Sequence, residues 1–113
     1  MHEYSIIGAL VEQVEAETRA RGGVAVHGVG VRIGELSGVD CELLASAYEI
    51  FRPATICARA PLTIERVPAR FNCGRCGRAI AAGEILRCPD CGGEARLSQG
   101  DEILLMRIEM EVH

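Results

Sequence analysis

Two Cys-x-x-Cys pairs constrain this chain more than any other feature. Cys73 and Cys76 enclose Gly74-Arg75 and are followed by Gly77; Cys88 and Cys91 enclose Pro89-Asp90 and are followed by Gly92, with eleven residues between the pairs. Each pair suits a tight knuckle whose two thiolates converge. The glycine after each pair lets the chain turn while backbone N–H groups approach the sulfurs. Four soft anionic sulfurs select zinc or an iron–sulfur centre, and the paired spacing favours a zinc ribbon. Four thiolates also fill a tetrahedron and leave no open position for water. The expected ion is therefore structural, supporting a segment too small to fold alone.

The competing reading of these cysteines is two disulfides or inert thiols. It is disfavoured by the address expected for the chain. The start, MHEYSIIGAL, lacks a basic region and a small-residue cleavage site, and no apolar run approaches the length of a membrane span. A cytoplasmic protein is expected, and reduced thiols with it. The formal net charge of -4 argues against general nucleic-acid binding. Every basic residue is Arg. Residues 69–97 carry five Arg against three acids, with one Phe and no Trp or Tyr, a thin basis for a stacking platform.

Hydrophobic periodicity places the ribbon inside something larger. Ile6, Ile7, Leu10, Val11 and Val14 recur at helical spacing, so residues 4–21 are expected to form an amphipathic helix. Ser5 is a candidate cap, and Gly22-Gly23 supplies the stop. Residues 24–34 read as a strand in which Val29, Val31 and Ile33 alternate; Gly28, at a change of phase, marks a candidate bulge. His27 falls in phase with Val29 and is expected to be a satisfied strand histidine. After a Ser37-Gly38 turn, a second helix runs from about Cys41 to Phe51, with Leu43, Leu44, Ala47, Ile50 and Phe51 on its apolar face. Leu62, Ile64 and Val67 mark a second strand, ended by Pro68. Residues 69–97 lose all apolar periodicity, and residues 102–112 return to strand. The last strand most simply pairs back onto the first. The expected class is α+β: an α/β domain of residues 1–68 plus 98–113, interrupted by a zinc-ribbon domain of residues 69–97. The lone thiols Cys41 and Cys57 are expected to be packing residues.

The first three residues, Met1-His2-Glu3, have chemistry of their own. A free α-amine, the backbone nitrogen of residue 2 and the His2 imidazole can chelate one metal through a five-membered and a six-membered ring. A planar field that tolerates a deprotonated amide suits Ni(II) or Cu(II), and Glu3 can supply a fourth donor. By itself the feature is weak, since a histidine near a terminus is usually just solvated.

Taken together, the opening Met1-His2-Glu3-Tyr4-Ser5-Ile6, the Gly34-Glu35-Leu36-Ser37-Gly38-Val39 turn and the cysteine ribbon resemble the HypA (HybF) family. These are the nickel metallochaperones of nickel–iron hydrogenase maturation. The resemblance covers essentially the whole chain, and the opening hexapeptide is its most specific piece. It implies two helices on a three-stranded sheet with an inserted zinc ribbon. It also implies nickel held by the Met1 amine or His2 backbone nitrogen, the His2 imidazole and Glu3, with Asp40 at the position of an acidic residue that lies near nickel in some members. The implied partners are the GTPase HypB and the hydrogenase large subunit, with urease as a further acceptor in some members. Asp40 equally fits a helix N-cap accepting from the backbone of Glu42 or Leu43, and the two roles need not conflict. No nucleophile–base pair or phosphate-cradling loop is present, so an enzyme is not expected. The alternatives are a zinc-ribbon adaptor that binds protein or nucleic acid and has no affinity for nickel.

Overall fold

The computed structural model describes residues 2–80 and 86–113. Helix α1 (His2–Ala20) buries one stripe made of Glu3, Ile7, Leu10, Val11, Val14 and Thr18. Those intervals follow the 3.6-residue period. The helix includes His2 and Glu3, so Ser5 lies within its first turn and is not the cap the sequence suggested. The reason is tertiary: Glu3 stands four residues before Ile7 on the same stripe and is only 9% exposed.

Strand β1 (Gly23–Gly34) follows, then α2 (Cys41–Phe51), a single 3-10 turn (Arg52–Ala54) and β2 (Leu62–Val67). β1 and β2 are parallel, with Val31 opposite Ile64, as a crossover through α2 requires. A last strand, running Ile103–Val112, lies antiparallel on the other side of β1, so β1 is the centre of a three-stranded sheet. Its Val26, Val29, Val31 and Ile33 are all buried against α1 and α2. The register shifts between Val26 and Gly28, where the sequence marked a bulge. That shift turns His27 out of phase with Val29: it is exposed, with Nε2 3.2 Å from Glu111 Oε1, rather than sharing the buried face.

α2 is bounded as its sequence indicates. Asp40 Oδ1 accepts from the N–H groups of Glu42 and Leu43 at 2.9 and 3.1 Å, which caps the helix. Its buried face, however, is Leu44, Ala47 and Tyr48, while Leu43, Ile50 and Phe51 are exposed. The helix rolls toward Tyr48 because that hydroxyl finds an acceptor in the Ala60 carbonyl, which makes a large half-polar side chain suitable for the core.

The second sheet comprises β3 (Arg70–Cys73), β4 (Ala79–Ile80) and β5 (Ala95–Gln99), in the order β4-β3-β5; the Ile103–Val112 strand is therefore β6. It has its own small apolar cluster of Cys73, Ile80 and Cys88, with Phe71, Cys91 and Ala95 against it. Where the two sheets meet, three segments cross at van der Waals contact. Leu36 N–H donates to the Gly100 carbonyl and Glu35 N–H to the Val67 carbonyl, while Glu35 Oε1 accepts from Ala69 N–H at 3.0 Å. A Cβ built on Gly34 would land on the backbone of Gly100.

Candidate metal centres

The two cysteine knuckles fold identically. In each, the N–H of the first cysteine donates to the carbonyl five residues on (Cys73 to Arg78, Cys88 to Gly93), and the glycine after the second cysteine donates back to the first cysteine's carbonyl at 2.9 Å. That return needs a left-handed residue, and Gly77 and Gly92 supply it with φ of 79° and 73°. The four Sγ atoms of Cys73, Cys76, Cys88 and Cys91 all lie within 4.8 Å of one another. The Cys73–Cys91 and Cys76–Cys88 pairs are 3.4 and 3.6 Å apart. A zinc ion with bonds of about 2.3 Å separates its sulfurs by about 3.8 Å, so the set fits one tetrahedral soft cation with little adjustment.

Electrostatics favour thiolates here. The N–H groups of Cys76 and Arg75 point at Cys73 Sγ and pull its pKa down to about 6. Cys88 is lowered as well, first by the Cys91 N–H. The Gly93 N–H acts in the same direction on Cys91, yet hydrogen-bonding with Cys73 pushes Cys91 up to about 11. Cys73 is thus poised as a thiolate near neutral pH and Cys88 is moved in the same direction, while their partners Cys91 and Cys76 are moved the other way and hold protons that a metal would replace. Gly93, which the sequence did not single out, lies against this pair: a Cβ there would come within 2.7 Å of Cys73 Sγ.

The amino-terminal donors are arranged differently. Glu3 is buried at the start of α1, and its Oε2 accepts the Asp40 N–H at 3.4 Å. The first turn of α1 and the N-cap of α2 are thereby adjacent. His2 is exposed beside them, and Met1 lies outside the described residues. Among the described residues, the four cysteines are the sole group of three or more potential ligands already converged; His2, Glu3 and Asp40 are neighbours without forming such a cluster. The other two thiols behave as packing residues: Cys57 is fully buried, and burial pushes its pKa up, while Cys41 is half-buried.

Comparison with known proteins decides what this pairing of sites belongs to. Residues 1–110 match the family described as hydrogenase/urease nickel incorporation, metallochaperone, HypA. The chain belongs to the HypA family. Hydrogenase maturation factor HypA from Nitrosospira multiformis is 39% identical over 112 residues, covering 97% of each chain. Its counterpart from Shewanella oneidensis is 38% identical, over 98% of this chain and 96% of that one. In fold, the chain resembles the solution structure of the Ni metallochaperone HypA from Helicobacter pylori, with a TM-score of 0.76 at 29% identity and 98% coverage of both chains. A second HypA solution structure superposes with a TM-score of 0.80, at 29% identity, over 100% of this chain and 98% of that one. The α+β architecture read from the sequence is that of these HypA structures, and the four-cysteine cluster is consistent with a zinc ribbon. The family's work is nickel incorporation into hydrogenase and urease. No described helix is long and apolar enough to cross a membrane.

Proposed function

We propose that this HypA chain takes up Ni(II) at its amino terminus and hands it, together with a HypB-type GTPase, to the hydrogenase large subunit in the cytoplasm. Urease is a further candidate acceptor. The nickel donors in this reading are the Met1 amine or the His2 backbone nitrogen, the His2 imidazole and Glu3, with Asp40 close enough to contribute. Zinc occupies Cys73, Cys76, Cys88 and Cys91 as a structural ion. The chain carries and does not catalyse; nucleotide hydrolysis belongs to the partner. The division of labour follows the division of the chain: residues 1–68 plus 98–113 for nickel, residues 69–97 for zinc. Two separate apolar clusters support that division.

One observation carries the nickel reading. Glu3, a residue type rarely buried, is held beneath the α2 N-terminus, where among the described residues its one hydrogen-bond partner is the Asp40 N–H. A carboxylate that accepts one weak hydrogen bond has lone pairs left for a cation, and it brings the exposed His2 alongside. Four thiolates form a closed cage, whereas a terminal site can exchange donors one at a time with an acceptor. Its imidazole and amine must be deprotonated, so nickel affinity falls as pH falls.

The test is a titration of Ni(II) into zinc-loaded protein with a native, untagged amino terminus, beside a His2→Ala variant. Tight binding of one equivalent, lost in the variant while zinc stays in place, is the expected result. Equal binding by both proteins, or none by either, would leave a zinc-ribbon adaptor as the better account.

A further inference from the structure

The outer face of the second knuckle holds an arginine-lined cleft of about 480 Å³. Arg75, Arg87 and Arg96 form its rim, Glu94 is the one acid in it, and its floor is the backbone of Gly74, Gly92 and Gly93. Arg75 Nη1 donates to the Cys91 carbonyl at 3.4 Å and Arg87 Nη1 to the Gly92 carbonyl at 3.3 Å, so two guanidinium groups are fixed against the knuckle. Arg96 lies over Gly74, where an added Cβ would meet its side chain. Among the described residues none of the three arginines has an ion-pair partner; between the two knuckles, Arg78 pairs with Asp90. Gly93, in the floor of the cleft, lies against the Cys73 and Cys91 sulfurs, which an added Cβ would approach to 2.7 and 3.3 Å.

Three arginines and one glutamate give this cleft a net charge of +2. One Zn(II) with four thiolates carries -2. We propose that Arg75, Arg87 and Arg96 are an electrostatic collar that suppresses the nucleophilicity of the zinc-bound Cys73 and Cys91 thiolates. The inference rests on the zinc reading above. A tetrathiolate zinc centre has excess negative charge on sulfur and is prone to attack by electrophiles. Fixed positive charge on the rim of a cleft whose glycine floor lies against those sulfurs lowers the energy of the anionic sulfur and makes it a weaker nucleophile. The arginines act through the sulfurs and are positioning residues in this sense. The same charges explain how an acidic chain tolerates a dianionic centre in its smallest lobe.

The probe is iodoacetamide, which is uncharged, so its approach to the site is not steered. A thiolate sulfur attacks its methylene carbon, an S–C bond forms, and iodide leaves with the electron pair. Alkylation of the zinc-loaded full chain is followed by mass spectrometry, with zinc release read by a chromogenic chelator. The triple variant R75Q/R87Q/R96Q is expected to be modified at Cys73 or Cys91 at least about tenfold faster than the parent, and R59Q, on the far part of the chain, at the parent rate. Molar salt should accelerate the parent and leave the triple variant unchanged, because there is no collar left to screen. R75K/R87K/R96K keeps the charge and loses the planar fork, and it should react at close to the parent rate. Cobalt substitution verifies that each variant retains the tetrathiolate geometry. If the glutamine and lysine variants react equally fast, the arginines matter for shape and not for charge, and the proposal is wrong. If the glutamine variant reacts at the parent rate with zinc in place, it is also wrong, and the zinc reading stands. A parent protein that holds no zinc overturns both.

Discussion

Replacing Gly34 with alanine should be among the most damaging single-methyl additions to this chain, and the same change at Gly8 should be harmless or better. At Gly34 the new Cβ would fall on the Gly100 backbone and close to Asp101 N. Backbone cannot swing aside as a side chain does, so the β1 end and the 99–102 segment must part. The bonds at risk are Gly34 N–H to the Glu102 carbonyl at 2.8 Å and Leu36 N–H to the Gly100 carbonyl at 2.6 Å. Losing one or two such bonds with their groups still sheltered costs about 2–4 kcal/mol. Against a total stability of about 5–15 kcal/mol, the variant still folds. Its urea midpoint should drop by about 1–2 M, taking about 2 kcal/mol/M for a chain of this size. At Gly8, inside α1, a Cβ meets nothing within 4 Å, and alanine should add about 0.5–1 kcal/mol through its helix propensity. The assay is urea unfolding followed by far-ultraviolet circular dichroism, with the absorption of cobalt-substituted protein reporting the cysteine lobe. The damage from G34A should appear in the dichroism of the larger sheet while the cobalt spectrum keeps its tetrathiolate form before the transition. A G34A midpoint equal to that of the parent would show that the two segments are not packed as tightly as described.

Two further outcomes follow from buried chemistry. Gly93→Ala should weaken zinc retention by at least about tenfold in a chelator competition, because its methyl would press on the Cys73 and Cys91 sulfurs, whereas Gly77→Ala should act through its left-handed backbone and disturb the first knuckle alone. Tyr48 and Cys57 are both buried, and burial raises both pKa values; Cys57 raises Tyr48 further, while the hydrogen bond from Tyr48 offsets part of the rise at Cys57. Raised folded-state values mean that their contribution to stability is intact below the unfolded values, near pH 8.5 for the thiol and pH 10 for the phenol, and is lost as pH climbs beyond them. The urea midpoint should therefore be level to about pH 8 and fall above about pH 9. Y48F should lose about 1–2 kcal/mol at pH 7, where the Ala60 carbonyl is left unpaired, and show a shallower alkaline fall; parallel curves for the two proteins would refute this assignment.

Much of the frame was legible because local chemistry and tertiary packing agree. Asp40 was a candidate N-cap for α2 and is one, and Cys41–Phe51 is bounded accordingly. The two knuckles are written in spacing and glycine, and β6 had no partner but β1. The failures share one cause: a periodicity fixes an element but not which of two overlapping stripes faces inward. Leu43, Leu44, Ala47, Ile50 and Phe51 are all at helical intervals, yet the core takes Leu44, Ala47 and Tyr48, since Tyr48 has a carbonyl to bond. His27 was misplaced by one residue of bulge. Glu3 is buried because it continues the Ile7 stripe upstream, a signal available in the sequence but masked by its charge. The arginine rim was not legible at all: Arg75, Arg87 and Arg96 are spread over the two knuckles and a strand, and only the folded ribbon gathers them.

If nickel is carried at the amino terminus as proposed, that α1 already includes His2 bears on how the ion would use the backbone. The first four N–H groups of any helix have no carbonyl a turn earlier to receive them. A metal that displaces the proton from the nitrogen of residue 2 therefore breaks no rung of the helix, and the same is true in reverse when the proton returns. Loading and unloading at this end would leave the α1 ladder, and the valine core beneath it, undisturbed. Were the same three residues set in the middle of a helix, each transfer of an ion would have to open and reclose a turn.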